Sequence, residues 1–68
     1  MKNRIRVARA EIRMTQQQLA DAAGVSRQTV NAIESGKFIP STLLALKISR
    51  IFQMSVEELF QLEDGEMS

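Results

Sequence analysis

The sequence contains no cysteine, no histidine, no tryptophan and no tyrosine. Without cysteine there is no disulfide to staple the chain, and without a Cys/His set there is no structural zinc site. At 68 residues the chain is near the lower limit for folding on one apolar core. The core therefore has to come from packed aliphatic helices, with a partner subunit as the one optional supplement. Missing cysteine fits a reducing compartment. No apolar run approaches the roughly 20 residues that a membrane span needs, and the basic start lacks the apolar stretch of a signal peptide. A cytoplasmic location without a membrane partner is expected. The same absences argue against an enzyme: there is no histidine base, no thiol nucleophile, no phosphate-cradling glycine loop and no spaced carboxylate pair. Glu57-Glu58 and Glu63-Asp64 read as helix-start and tail charges. No cofactor, metal or small-molecule site is expected.

What charge there is lies unevenly. The net value is only +1, but residues 1–37 hold seven bases (Lys2, Arg4, Arg6, Arg9, Arg13, Arg27, Lys37) against three acids (Glu11, Asp21, Glu34). Residues 38–68 hold two bases (Lys47, Arg50) against five acids (Glu57, Glu58, Glu63, Asp64, Glu66). A basic half joined to an acidic half suggests one face for a polyanion and another turned away from it.

Hydrophobic spacing predicts five short helices and no alternating strand pattern. The first runs from Arg4 to Ile12, with Ile5, Ala8 and Ile12 on one face. Thr15 and Gln18 form a T-x-x-Q capping box opening a helix that continues to Ala23, and Gly24 stops it. Ser26 caps a third helix, which reaches Glu34 or Ser35 and is closed by Gly36. Ser41 starts a fourth, with Leu44, Ala45, Ile48, Ile51 and Phe52 facing inward. Ser55 and Glu58 make a second capping box for a last helix ending near Phe60. Residues 1–62 are expected to form one domain, and the acidic tail 63–68 to be frayed. The expected core is Ile5, Ala8, Met14, Leu19, Ala20, Ala23, Val25, Val30, Ile33, Leu44, Ala45, Ile48, Phe52, Val56, Leu59 and Phe60. Packing is the expected role of all three aromatics, Phe38, Phe52 and Phe60.

The function is concentrated in Thr15 to Glu34, where two helices are joined by a tight turn at Gly24. Small Ala20 lets the second cross close over the first, while Leu19, Val25, Val30 and Ile33 bury between them. Arg27, Gln28 and Asn31 remain outside, on one face by the i, i+3, i+4 rule, with Thr29 beside them. Arginine pairs well with guanine, and glutamine or asparagine with adenine. No acid interrupts that face between Arg27 and Asn31.

These residues carry a resemblance. Met14-Thr15-Gln16, Leu19-Ala20, Gly24-Val25-Ser26-Arg27-Gln28-Thr29, Asn31, Ile33-Glu34, Gly36-Lys37, Pro40-Ser41 and Ala45-Leu46-Lys47-Ile48 resemble the helix-turn-helix of the phage-repressor and Cro family. The branch is that of small stand-alone bacterial regulators of the cytolysin-repressor type, and the likeness spans about residues 4 to 61. It implies an all-α, compact five-helix lambda-repressor-like DNA-binding domain, with short terminal strands as an accepted addition. It further implies a transcriptional repressor of double-stranded DNA. Arg27, Gln28 and Asn31 would contact bases, and Gln16, Ser26, Thr29, Ser35 and Lys37 would contact phosphates, which set register without reading sequence. The recognition helix would dock in the major groove. Gln16 resembles the glutamine that both touches a phosphate and braces that helix; a helix N-terminus suits an anion in any case.

Three positions depart from the family pattern. Ala8 stands where leucine is usual, Ile12 replaces a charged residue, and Arg13 occupies a glycine position. Arg13 either takes the left-handed conformation, at about 1 kcal/mol, or the turn differs. Val7 and Ile12 either repack or contact another chain.

One recognition helix covers too few base pairs for selectivity, so a homodimer on a palindromic operator is expected, with half-sites about 34 Å apart. Leu43 and Leu46 lie off the inner face of the fourth helix. With Ile51, Met54 and Leu62 they are the candidates for a symmetric interface. The resemblance likewise implies pairing through the C-terminal half. The competing class is an antitoxin or other protein-interaction module on the same fold.

Overall fold

Four Ser or Thr residues start four of the helices. The computed structural model describes residues 1–67. Its elements are β1 (Lys2–Asn3), α1 (Ile5–Glu11), α2 (Gln16–Ala23), α3 (Arg27–Glu34), α4 (Thr42–Phe52), α5 (Val56–Leu59) and β2 (Phe60–Gln61). Thr15, Ser26, Ser41 and Ser55 are the N-caps of α2 to α5, each side-chain oxygen accepting from the backbone N–H three residues on. That bond satisfies a donor which the helix itself leaves unpaired. Both capping boxes, Thr15 with Gln18 and Ser55 with Glu58, are closed. Gly24 ends α2 with φ 74°. A Cβ there would meet nothing within 4 Å, so the left-handed backbone, not space, is what calls for glycine.

Arg13 takes the left-handed conformation too, at φ 54°. Of the two alternatives open at this position, the strained arginine is the one realised. It follows the C-cap Ile12 and lets the Met14 N–H return to the carbonyl of Arg9 at 2.9 Å.

The helices close around Ile5 and Ala8 of α1, Leu19, Ala20 and Ala23 of α2, Val30 and Ile33 of α3, Leu44 and Ile48 of α4, and Leu59 with Phe60. Burial of each large aliphatic side chain contributes about 1.5–3 kcal/mol. Met14, Val25, Ala45, Phe52 and Val56, expected inside, are half-buried and pack around this centre. Phe38 is corrected from a packing role to an exposed one. It sits in the loop after α3, where the chain turns toward α4. Pro40 from the same loop is buried instead. Val7 and Ile12 are both exposed; they do not repack into the space beside Ala8.

β1 and β2 pair antiparallel, Lys2 opposite Gln61 and Asn3 opposite Phe60. Two-residue strands are too short to show alternation, which is why periodicity does not find them. They tie the chain's two ends together. The Arg4 N–H bonds to the Leu59 carbonyl at 2.8 Å, and the Asn3 amide donates to the Ile33 carbonyl at 2.8 Å, fastening β1 to the end of α3. The expectation of a frayed tail is corrected for residues 63–67. A turn there brings Glu63 and Glu66 to the N-terminal ammonium at 3.4 and 3.0 Å, because opposite charges meet where the strands align the ends. Ser68, the last residue of the expected tail, lies outside the described residues.

Candidate nucleic-acid interface

The turn at Gly24 sets α3 across α2, so that the start of α2 and the outer face of α3 border one hollow. Gln16, Arg27, Gln28 and Asn31 line this cleft, whose volume is about 350 Å³. Arg27, Gln28 and Asn31 are all exposed. An adjoining cleft of about 410 Å³ is lined by Arg9, Thr15, Gln16, Gln17 and Arg27. It combines the N-terminus of α2 with two arginines, a setting that favours an anion.

The other expected phosphate contacts are placed differently. Ser26 and Thr29 stand together at the start of α3: Ser26 Oγ accepts from the Thr29 N–H at 3.1 Å, and the two hydroxyls are 3.0 Å apart. Thr29 is half-buried. Ser35 and Lys37 lie beyond the opposite end of α3. The Ser35 hydroxyl donates to the Ala32 carbonyl at 3.1 Å, and Lys37 is exposed. Ser35 borders a separate hollow with Met1, Lys2, Asn3, Glu34, Gly36 and Glu63. The structure thus groups Gln16 with the three expected base contacts, and puts Ser35 and Lys37 at another edge.

Gln16 faces inward as well as outward. Its Nε2 donates to Glu34 Oε1 at 3.1 Å and to Asn31 Oδ1 at 3.3 Å. Glu34 is a central residue that sequence reasoning missed. Its side chain is fully shielded, 0% exposed. Arg9 grips it at two points, Nε to Oε2 at 2.6 Å and Nη2 to Oε1 at 3.0 Å, and Arg6 Nε approaches Oε1 at 3.4 Å. Burial pushes the Glu34 carboxyl up. Hydrogen bonds from Arg9 and Gln16, the charge of Arg9 and the Arg6 contact outweigh it and hold the carboxyl below the usual range. The hydrogen bond to Glu34 raises Arg9, against the opposing effect of burial. A signal for both residues was available: Glu34 falls on the stripe of buried Val30, and Arg9 on that of buried Ile5, each four residues away. Charges within two apolar stripes need partners.

The candidate dimer residues divide into two groups. Leu43, Leu46 and Leu62 are each more than half exposed. Ile51 and Met54 are half-buried against the core, so part of their apolar surface is already covered within the chain. Among the described residues no helix is long and apolar enough to cross a membrane.

Comparison with known proteins gives the family and the fold. A family model described as "Helix-turn-helix" matches residues 5–59. An uncharacterized HTH-type transcriptional regulator of Bacillus subtilis, YgzD, is 48% identical over 64 residues, covering 94% of this chain and 97% of its own. An uncharacterized HTH-type transcriptional regulator of Methanocaldococcus jannaschii is 48% identical over 66 residues, covering 97% of this chain and all of the relative. Among solved structures, the restriction-modification controller protein C.AhdI from Aeromonas hydrophila superposes with a TM-score of 0.77. It is 30% identical, with 84% of this chain and 86% of that one covered.

Proposed function

The chain belongs to the helix-turn-helix family of Cro/C1-type, DNA-binding transcriptional regulators, a non-enzymatic family with the lambda-repressor-like fold, and on that premise we propose that it is a cytoplasmic repressor that binds a palindromic operator as a homodimer. The observation that carries this reading is the joint cleft of Gln16, Arg27, Gln28 and Asn31. Those side chains bear hydrogen-bonding groups suited to base edges, and the nearest carboxylate, Glu34, is neutralised from within by Arg9.

In this reading α3 enters the major groove, with Arg27, Gln28 and Asn31 against the bases. Ser26, Thr29, Ser35 and Lys37 bind phosphates along the groove's edges. Gln16 joins them through its backbone N–H, at the first turn of α2, because its side-chain donors are directed to Glu34 and Asn31. Two copies pair through Leu43, Leu46 and Leu62, with Ile51 and Met54 beneath them. The similarity to a controller protein favours a regulatory role over one confined to protein partners.

Two measurements test the proposal. Native mass spectrometry at micromolar concentration is expected to give a dimer, and Leu43→Glu with Leu46→Glu to give a monomer. A reporter carrying the bound sequence across its promoter is expected to fall when the chain is expressed. A chain that remains monomeric on DNA, or a reporter that rises, contradicts it.

A further inference from the structure

We infer that Glu34, acting through Gln16, turns the NH₂ group of Asn31 outward, so that α3 reads at that position a base edge that accepts a hydrogen bond. The inference rests on α3 being the DNA-reading element.

A side-chain amide has an accepting end and a donating end of nearly equal size, and its partners decide which way it faces. Here the chain of partners begins with a group that has no choice. The Glu34 carboxylate, gripped by Arg9, can only accept. Gln16 must therefore present Nε2 to it, as it does at 3.1 Å. That nitrogen carries a second hydrogen, and Asn31 Oδ1 lies 3.3 Å away. Turned the other way, Asn31 would oppose one N–H donor with another. Its carbonyl is therefore drawn toward Gln16, which leaves its NH₂ group for the cleft that Asn31 lines with Arg27 and Gln28.

In the major groove, guanine offers N7 and O6 as acceptors, adenine N7 and thymine O4, whereas cytosine offers the N4 donor. An outward NH₂ group suits the first three and conflicts with cytosine. Glu34 does not reach DNA itself; it is a positioning residue for specificity. Its influence is independent of the phosphate contacts, which act on all sequences alike.

The test compares duplexes that differ only at the base pair whose preference Asn31→Ala erases. Wild-type chain is expected to bind cytosine there about fivefold more weakly than the best base, the worth of one hydrogen bond. Gln16→Leu keeps the Arg9–Glu34 pair and is expected to lose that preference, while the preferences set by Arg27 and Gln28 persist. Combined with Asn31→Ala it should cost no further discrimination. Because the readout is a ratio between duplexes, any uniform loss of phosphate binding cancels. Glu34→Gln, an amide free to face either way, is expected to weaken the same preference, and Asn31→Asp to shift it toward cytosine. Wild-type preference retained in Gln16→Leu overturns the relay and leaves the α3 reading intact. Cytosine favoured by wild-type chain at the position whose preference Asn31→Ala erases, or an Asn31→Ala variant that alters no position, also overturns it. A wild-type chain that selects no sequence overturns both.

Discussion

Arg9 and Glu34, 25 residues apart in the chain, meet in a two-point ion pair of 2.6 and 3.0 Å. The same guanidinium donates through Nη1 to the Met14 carbonyl at 2.8 Å. One side chain thereby fixes α1, the turn into α2 and the end of α3, which is the frame that holds the face proposed to read DNA. Glu34→Ala leaves that arginine, only 14% exposed, without its anion. Breaking a buried pair costs about 3–5 kcal/mol, and the water still reaching Arg9 sets the expectation near the lower end. Urea unfolding should show a lower midpoint with an unchanged slope. Replacing both partners with apolar residues (Arg9→Met with Glu34→Leu) should recover much of the loss, since no lone charge remains.

Acid should undo the same joint. Glu34 titrates lower in the folded chain than in the unfolded one, so the unfolded state binds its proton first as pH falls. Its contribution to stability is complete above the ordinary glutamate range, near about 4.3, and is lost as pH drops through the lower folded value. Glu58 and Glu66, likewise held low, act in the same direction. Unfolding free energy measured from neutral pH downward should stay level and then fall below about pH 4. In Glu34→Gln that fall should be shallower.

Arg13 offers a gain rather than a loss. Its φ of 54° costs a non-glycine residue about 1 kcal/mol or somewhat more. Arg13→Gly removes that strain and returns part of it through a freer unfolded chain, roughly 0.4–1 kcal/mol. Thermal unfolding should show Tm higher by a few degrees, on the scale of about 4–8 °C per kcal/mol for a domain this small.

Base and phosphate contacts should separate by salt and sequence. Arg27→Ala or Gln28→Ala is expected to cost about 1–3 kcal/mol on the preferred duplex and to relax one base position. Lys37→Ala should weaken every duplex about equally and reduce the logarithmic salt slope by about 1. Fluorescence anisotropy at several salt concentrations measures both.

Four of the five helices were legible because their starts are written locally: Thr15, Ser26, Ser41 and Ser55 all cap as their spacing implies. The face of Arg27, Gln28 and Asn31 was legible from helical periodicity. What depended on distant partners was not. The apolar stripes of Ile5 and Val30 marked Arg9 and Glu34 as charges in need of partners, but nothing within a helical turn of either shows that the partner is the other. β1 and β2 were hidden from periodicity by their length and were given only by the family resemblance, and the turn at residues 63–67 was hidden by its dependence on the N-terminal ammonium. Phe38 was misplaced because aromatic character alone does not tell which side of a loop faces the core, whereas its neighbour Pro40 is the one buried.

Selection of bound sequences from random duplex DNA at physiological salt tests the central claim most directly. One enriched motif with two-fold symmetry is expected, its half-sites centred about 34 Å apart. Enrichment at particular positions should disappear in Arg27→Ala and Gln28→Ala. No enrichment, or the same motif recovered with both substitutions in place, would contradict it.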